Sequence, residues 1–94
     1  MATKEDDEKI LREFSAFMMH KLDKARDRQP VHWDDPICTN AMLSRELWMR
    51  VFKGDPVDVA NFCMMLHARG ARIMDFNSVF GIPDHKSTKS PLPE

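Results

Sequence analysis

Apolar residues recur at helical spacing through most of this chain, and the interruptions fall where capping residues, proline and glycine gather. In the first segment Ile10, Leu11, Phe14, Phe17, Met18, Leu22 and Ala25 follow a period near 3.6. Thr3 stands where a hydroxyl caps a helix, with Asp6 at capping-box spacing, so a first helix is predicted over residues 3–28. Pro30 disfavours helical backbone at Gln29 and supplies no amide donor, so the chain turns between there and Trp33. Asp35 followed by Pro36 reads as a capping carboxylate with proline at the first helical position. Beyond it Ile37, Ala41, Leu47, Trp48, Val51 and Phe52 mark one broad face. A second helix is therefore predicted over residues 36–53, ending at Gly54. The same pair returns at Asp55 and Pro56 and opens a third helix, predicted over residues 56–69 and stopping before Gly70. No alternation of period two competes with these helices, so the predicted fold is all-α.

The last twenty residues change character, with Pro83, Pro91 and Pro93, a Ser/Thr/Lys segment and no sustained period. Residues 1–74 are read as the helical domain and residues 75–94 as an extended tail. Phe76, Val79, Phe80 and Ile82 are too apolar to hang free. Residues 76–82 are therefore expected to dock in a groove on the same subunit or a partner, with disorder beyond about residue 84.

Composition narrows the class. Ninety-four residues form one small domain, for which self-association is a natural way to bury more surface. A formal charge of −1 gives no global pull toward a DNA or RNA duplex or an anionic membrane, so any basic site is local. No apolar run reaches the roughly 20 residues of a membrane span, and the acidic start lacks the pattern of a signal peptide, which points to a cytoplasmic protein. Cys38 and Cys63 are far apart in apolar surroundings and read as reduced buried thiols. His20, His32, His67 and His85 show no zinc spacing and are assigned no chemistry. The doublets Met18, Met19 and Met64, Met65 read as adaptable core or oligomer contact.

The third helix carries the most informative polar positions. Asp58 and Asn61, three apart, fall on one face of an otherwise apolar helix and mark a polar site set in a core. The plainer alternative has Asp58 complementing the helix dipole and Asn61 facing water. Lys21, Lys24, Arg26 and Arg28 lead to Trp33. Either Lys21 and Arg28 neutralise phosphates while Trp33 stacks on a base, or the cations complement a helix C-terminus and Trp33 plugs the turn. Arg69 and Arg72 are further phosphate candidates.

Phe14, Phe17, Lys21 and Leu22, then Trp33, then Glu46 and Leu47, then the string Asp58-Val59-Ala60-Asn61-Phe62-Cys63-Met64-Met65 resemble the MazG-like all-α nucleotide pyrophosphohydrolases over about residues 11–69. The resemblance implies a helical bundle completed by homo-oligomerisation, a nucleotide ligand and a magnesium ion held by paired carboxylates on the second and third helices. It supports ligand contacts by Lys21, Trp33, Glu46, Asp58 and Asn61, to which the basic segment adds Arg28, and metal contacts by Glu46, Asp58 and Asp55. Magnesium is satisfied by one or two carboxylates with water and phosphate oxygens, so this reduced set remains chemically meaningful. The departures are specific. Leu43 stands where the first glutamate of the helix 2 pair is expected, the stretch from Glu46 to Asp58 is short, and Asp55 is also the expected helix cap, two jobs that one carboxylate does not easily combine.

A cage cut to two or three carboxylates loses metal affinity and hold on the attacking water, which costs on the order of 100-fold in rate. The expected function is therefore nucleotide binding or sequestration with little turnover and no required cofactor. The alternative is a magnesium-dependent nucleoside triphosphate pyrophosphohydrolase in which Glu46 and Asp58 are catalytic. A second alternative is a non-catalytic interaction module acting through residues 76–82.

Overall fold

A computed structural model describes residues 1–28 and 32–83. The expected break at Pro30 and the expected disorder from residue 84 lie outside the described residues. Among the described residues four helices follow one another: α1 (Lys4–Arg26), α2 (Asn40–Lys53), α3 (Pro56–Ala68) and α4 (Phe76–Phe80). The described residues contain no strand, and the fold is all-α.

Each long helix starts on a side chain suited to the task. Thr3 accepts from the Asp6 amide at 3.2 Å while Asp6 accepts from the Thr3 amide at 2.8 Å, closing a capping box on α1. Asp55 accepts from the Val57 and Asp58 amides at 3.0 and 3.4 Å, and Pro56 opens α3. Gly54, at φ 82°, lies between α2 and α3; its amide donates to the carbonyls of Arg50 and Val51 in a left-handed conformation that a side chain would strain.

The second helix differs from expectation. Asp35 and Pro36 do not open it. The Asp35 carboxylate accepts from the Ile37 amide at 2.9 Å and its carbonyl accepts from the Cys38 amide at 2.9 Å, which folds residues 35–38 into a turn. Thr39 caps instead, accepting from the Met42 amide at 3.1 Å. The turn buries Cys38 and leaves Ile37 and Ala41 exposed, so the inward face of α2 is Leu43, Ser44 and Leu47.

The helices form an all-α bundle that is open, with α3 between α1 and α2. α3 packs on α1 along one side and on α2 along the other, while α1 and α2 do not meet among the described residues. α1 runs antiparallel to α3, since Lys21 reaches Asp58 while the earlier Met18 reaches the later Asn61. Cys38, Leu43, Leu47 and Leu66 form the buried core, with Trp33, Phe62, Cys63, Met65 and Ala71 against it. A fully buried leucine such as Leu66 contributes roughly 1.5–3 kcal/mol.

The segment after α3 returns over the far side of α2. Ser44, fully buried, accepts from the Met74 amide at 3.0 Å, and the Trp48 indole donates to the Met74 carbonyl at 3.0 Å. One turn of α2 thus holds both peptide groups of Met74. The tail is not simply extended at this point, because Asp75 caps the short α4 by accepting from the Ser78 amide. Phe76 packs edge-on to Trp48 and Phe52 at centroid distances of 5.9 and 5.5 Å, and Arg45 lies 4.9 Å over the Phe80 ring. Phe76 and Phe80 thus pack on residues of α2 in the same chain.

Candidate functional site

Asp58, in the first turn of α3, is where the three long helices converge. From α1, Lys21 places its amine 3.3 Å from Asp58 Oδ1 and in contact with Asp55 Oδ2. From α2, Arg50 brings Nε to 3.9 Å from Asp58 Oδ2 and Nη2 to 3.4 Å from Glu46 Oε1. The Arg50 guanidinium also lies 5.6 Å over the ring of Phe62, one turn beyond Asp58. The backbones of α1 and α2 do not meet among the described residues, so these groups come together over α3.

Of the two jobs that the sequence set against each other, Asp55 performs the helix cap, and a lysine stands where a metal contact was expected. Oδ1 caps α3, and Oδ2 accepts from Lys21. That hydrogen bond is the main reason its carboxyl is held below the ordinary 3.8; burial opposes it, and the Asp58 and Val57 amides add to it. The Lys21 amine is held above 10.5, first by Asp55, then against desolvation by Asp58.

Asn61 is buried, which overturns the water-facing alternative. Its Nδ2 donates to the Met18 carbonyl at 3.2 Å, and its Oδ1 has no partner among the described residues. An unmet buried acceptor of this kind costs about 1–3 kcal/mol.

The remaining candidates lie elsewhere. Trp33 is half-buried against the core, and its carbonyl accepts from Arg69 Nη1 at 3.2 Å. The same Arg69 nitrogen donates to the Cys38 carbonyl. Arg69 therefore fastens the loop before α2 onto the end of α3, about 16 Å along the axis from Asp58. Arg28 is exposed in the turn after α1, about two turns beyond Lys21. The structure thus joins Lys21, Asp55, Asp58 and Glu46, sets Asn61 one turn deeper, and does not gather Trp33 or Arg28 with them.

Arg50 is the group that sequence reasoning missed. Its signal was the four-residue spacing from Glu46, a common helical ion pair that carries little specificity. Arg69 was legible as a cation, but its role depends on carbonyls more than thirty residues away.

Magnesium, implied by the resemblance, finds no ready cage. Among the described residues no three His, Cys, Asp or Glu side chains are gathered to hold a metal ion. Glu46 and Asp58 are separated by Arg50, and Asp55 and Asp58 share Lys21. As folded, the carboxylates orient side-chain cations, and these residues do not fit the ion. No family model, no curated protein and no solved structure matches this chain.

Proposed function

We propose that this protein binds a nucleotide or nucleotide-derived signal over α3, between α1 and α2, with little turnover, on a MazG-like scaffold that works as an oligomer. The observation that carries the reading is the convergence of Lys21 and Arg50, from two helices whose backbones do not meet, on Asp58. Opposed cations suit a phosphate. Lys21 has three N–H donors and spends two on Asp55 and Asp58; Arg50 has five and directs two of its nitrogens to Asp58 and Glu46. The remaining donors are held in place by those same carboxylates, so a phosphate meets a pre-set pair at little cost in side-chain ordering.

Three carboxylates against two cations leave this cluster one negative charge in excess, so the donors act through directed hydrogen bonds rather than through bulk attraction. Asn61 supports the same reading as a polar group that the fold alone does not repay. Hydrolysis is disfavoured because its carboxylates are already turned onto Lys21 and Arg50.

A thermal-shift screen of nucleoside triphosphates, monophosphates and oligonucleotide signals, with and without magnesium, tests the proposal. A ligand at one hundred times its dissociation constant stabilises the protein by about 2.7 kcal/mol. Stabilisation with intact ligand recovered is the expected result. Stabilisation with pyrophosphate released only in magnesium supports the hydrolase instead, and no stabilisation by any nucleotide refutes a nucleotide site.

A further inference from the structure

Arg50 is held at three points, and they are unequal. Its Nε lies 3.9 Å from Asp58 Oδ2 and its guanidinium 5.6 Å over the Phe62 ring, both partners belonging to α3. Its Nη2 lies 3.4 Å from Oε1 of Glu46, one turn earlier on its own helix. The Arg50 and Asp58 side chains are each 27% exposed, whereas that of Glu46 is 47% exposed. Asp58 and Phe62 thus fix the guanidinium against α3, and Glu46 meets it from the more open side. An exposed ion pair four residues apart on a helix shifts an equilibrium by only about twofold, so Arg50 keeps its place without Glu46.

We propose that Glu46 holds the place of a ligand phosphate on Arg50 and swings away when the phosphate binds, so that it opposes binding rather than contributing a contact. The proposal rests on the phosphate reading of this cluster. A phosphate bonded to Arg50 brings negative charge to within about 5 Å of the Glu46 carboxylate, where two like charges in water cost about fourfold in affinity. Glu46 has no other ion pair or side-chain hydrogen bond among the described residues to hold it there.

The other two carboxylates of the cluster are not released in the same way. Asp58 is shared by Lys21 and Arg50, and Asp55 caps α3 with one oxygen while the other accepts from Lys21. With Glu46 in place the cluster holds three carboxylates against two cations; with Glu46 withdrawn the two signs are equal in number. An anion that reaches Arg50 alone gains nothing over Glu46, whereas a phosphate that spans Lys21 and Arg50 meets donors from two helices. Glu46 thereby selects for a ligand whose phosphate bridges α1 and α2.

Calorimetric titration of ATP and of inorganic phosphate, both in chelator, into the wild type, Glu46→Gln and Asp58→Asn tests it. Glutamine keeps the shape at an exposed position, and circular dichroism checks that each variant keeps its helix content. Glu46→Gln is expected to bind about fourfold more tightly than the wild type, and Asp58→Asn more weakly although it removes the same charge. Tighter binding by both variants overturns the proposal, because the gain then follows from net charge alone. Unchanged or weaker binding by Glu46→Gln, beside a wild type that binds, overturns it too and returns Glu46 to the ligand contacts. A wild type and variants that all fail to bind refute the phosphate site itself, and the proposal with it.

Discussion

A carboxylate has two oxygens, and Asp55 uses them on different partners, capping α3 with one and holding Lys21 with the other. The helix cap expected from the sequence is present, and the second oxygen is taken by a lysine that local spacing did not reveal. The pairing sets a pH window. Asp55 is lowered from 3.8, so its stabilising effect is present above that value and is lost as pH falls through the lowered one. Lys21 is raised from 10.5, so its effect is present below that value and is lost as pH rises through the raised one. In an NMR titration, Lys21→Met is expected to move the Asp55 carboxyl upward; an unchanged titration contradicts the contact. Asn61 gives a second test at this scale. The Met18 carbonyl keeps its bond within α1, so Asn61→Leu removes an unmet acceptor without orphaning a partner. Chemical denaturation is expected to show a change under about 1 kcal/mol or a gain in stability, and a loss beyond about 2 kcal/mol gives Asn61 a structural role.

The same two letters, Asp-Pro, behave differently at two places. At Asp55 and Pro56 they open a helix, because Gly54 has just ended the previous one and Val57 and Asp58 present their amides at once. At Asp35 and Pro36 they make a turn, because Thr39 offers a competing cap and Cys38 is drawn into the core, where Arg69 takes its carbonyl. Local spacing carries the periodic helices, the Gly54 stop and the polar pair on α3. It does not carry the choice between two caps, nor the reach of Ser44 and Trp48 to Met74, since these depend on contacts between distant residues. The start of α2 is testable. Thr39→Ala is expected to cost about 1 kcal/mol and to fray residues 40–42 in amide exchange, whereas Asp35→Ala leaves those amides protected. Fraying caused by Asp35→Ala and not by Thr39→Ala would return the helix start to Pro36.

An open layer of helices has two broad sides, and α3 is apolar around most of its circumference, as a helix meant for burial would be. Its flanking helices α1 and α2 pack along two of its sides without meeting each other. Lys21 and Arg50 belong to different helices, so the layer as a whole, rather than any one element, makes the proposed phosphate site. That explains why the candidate site was only half legible: Asp58 stood out by its spacing from Asn61, Lys21 by its basic segment and Glu46 only through the resemblance, while the role of Arg50 depends on how α2 is laid against α3. Calorimetric titration of nucleoside triphosphate into the wild type and Lys21→Ala, in magnesium and in chelator, with chromatography of the recovered nucleotide, tests this most directly. The account predicts saturable binding in both buffers, a loss of about tenfold or more in affinity for Lys21→Ala, and nucleotide recovered intact. Absence of binding in either buffer, or recovery as monophosphate and pyrophosphate, would contradict it.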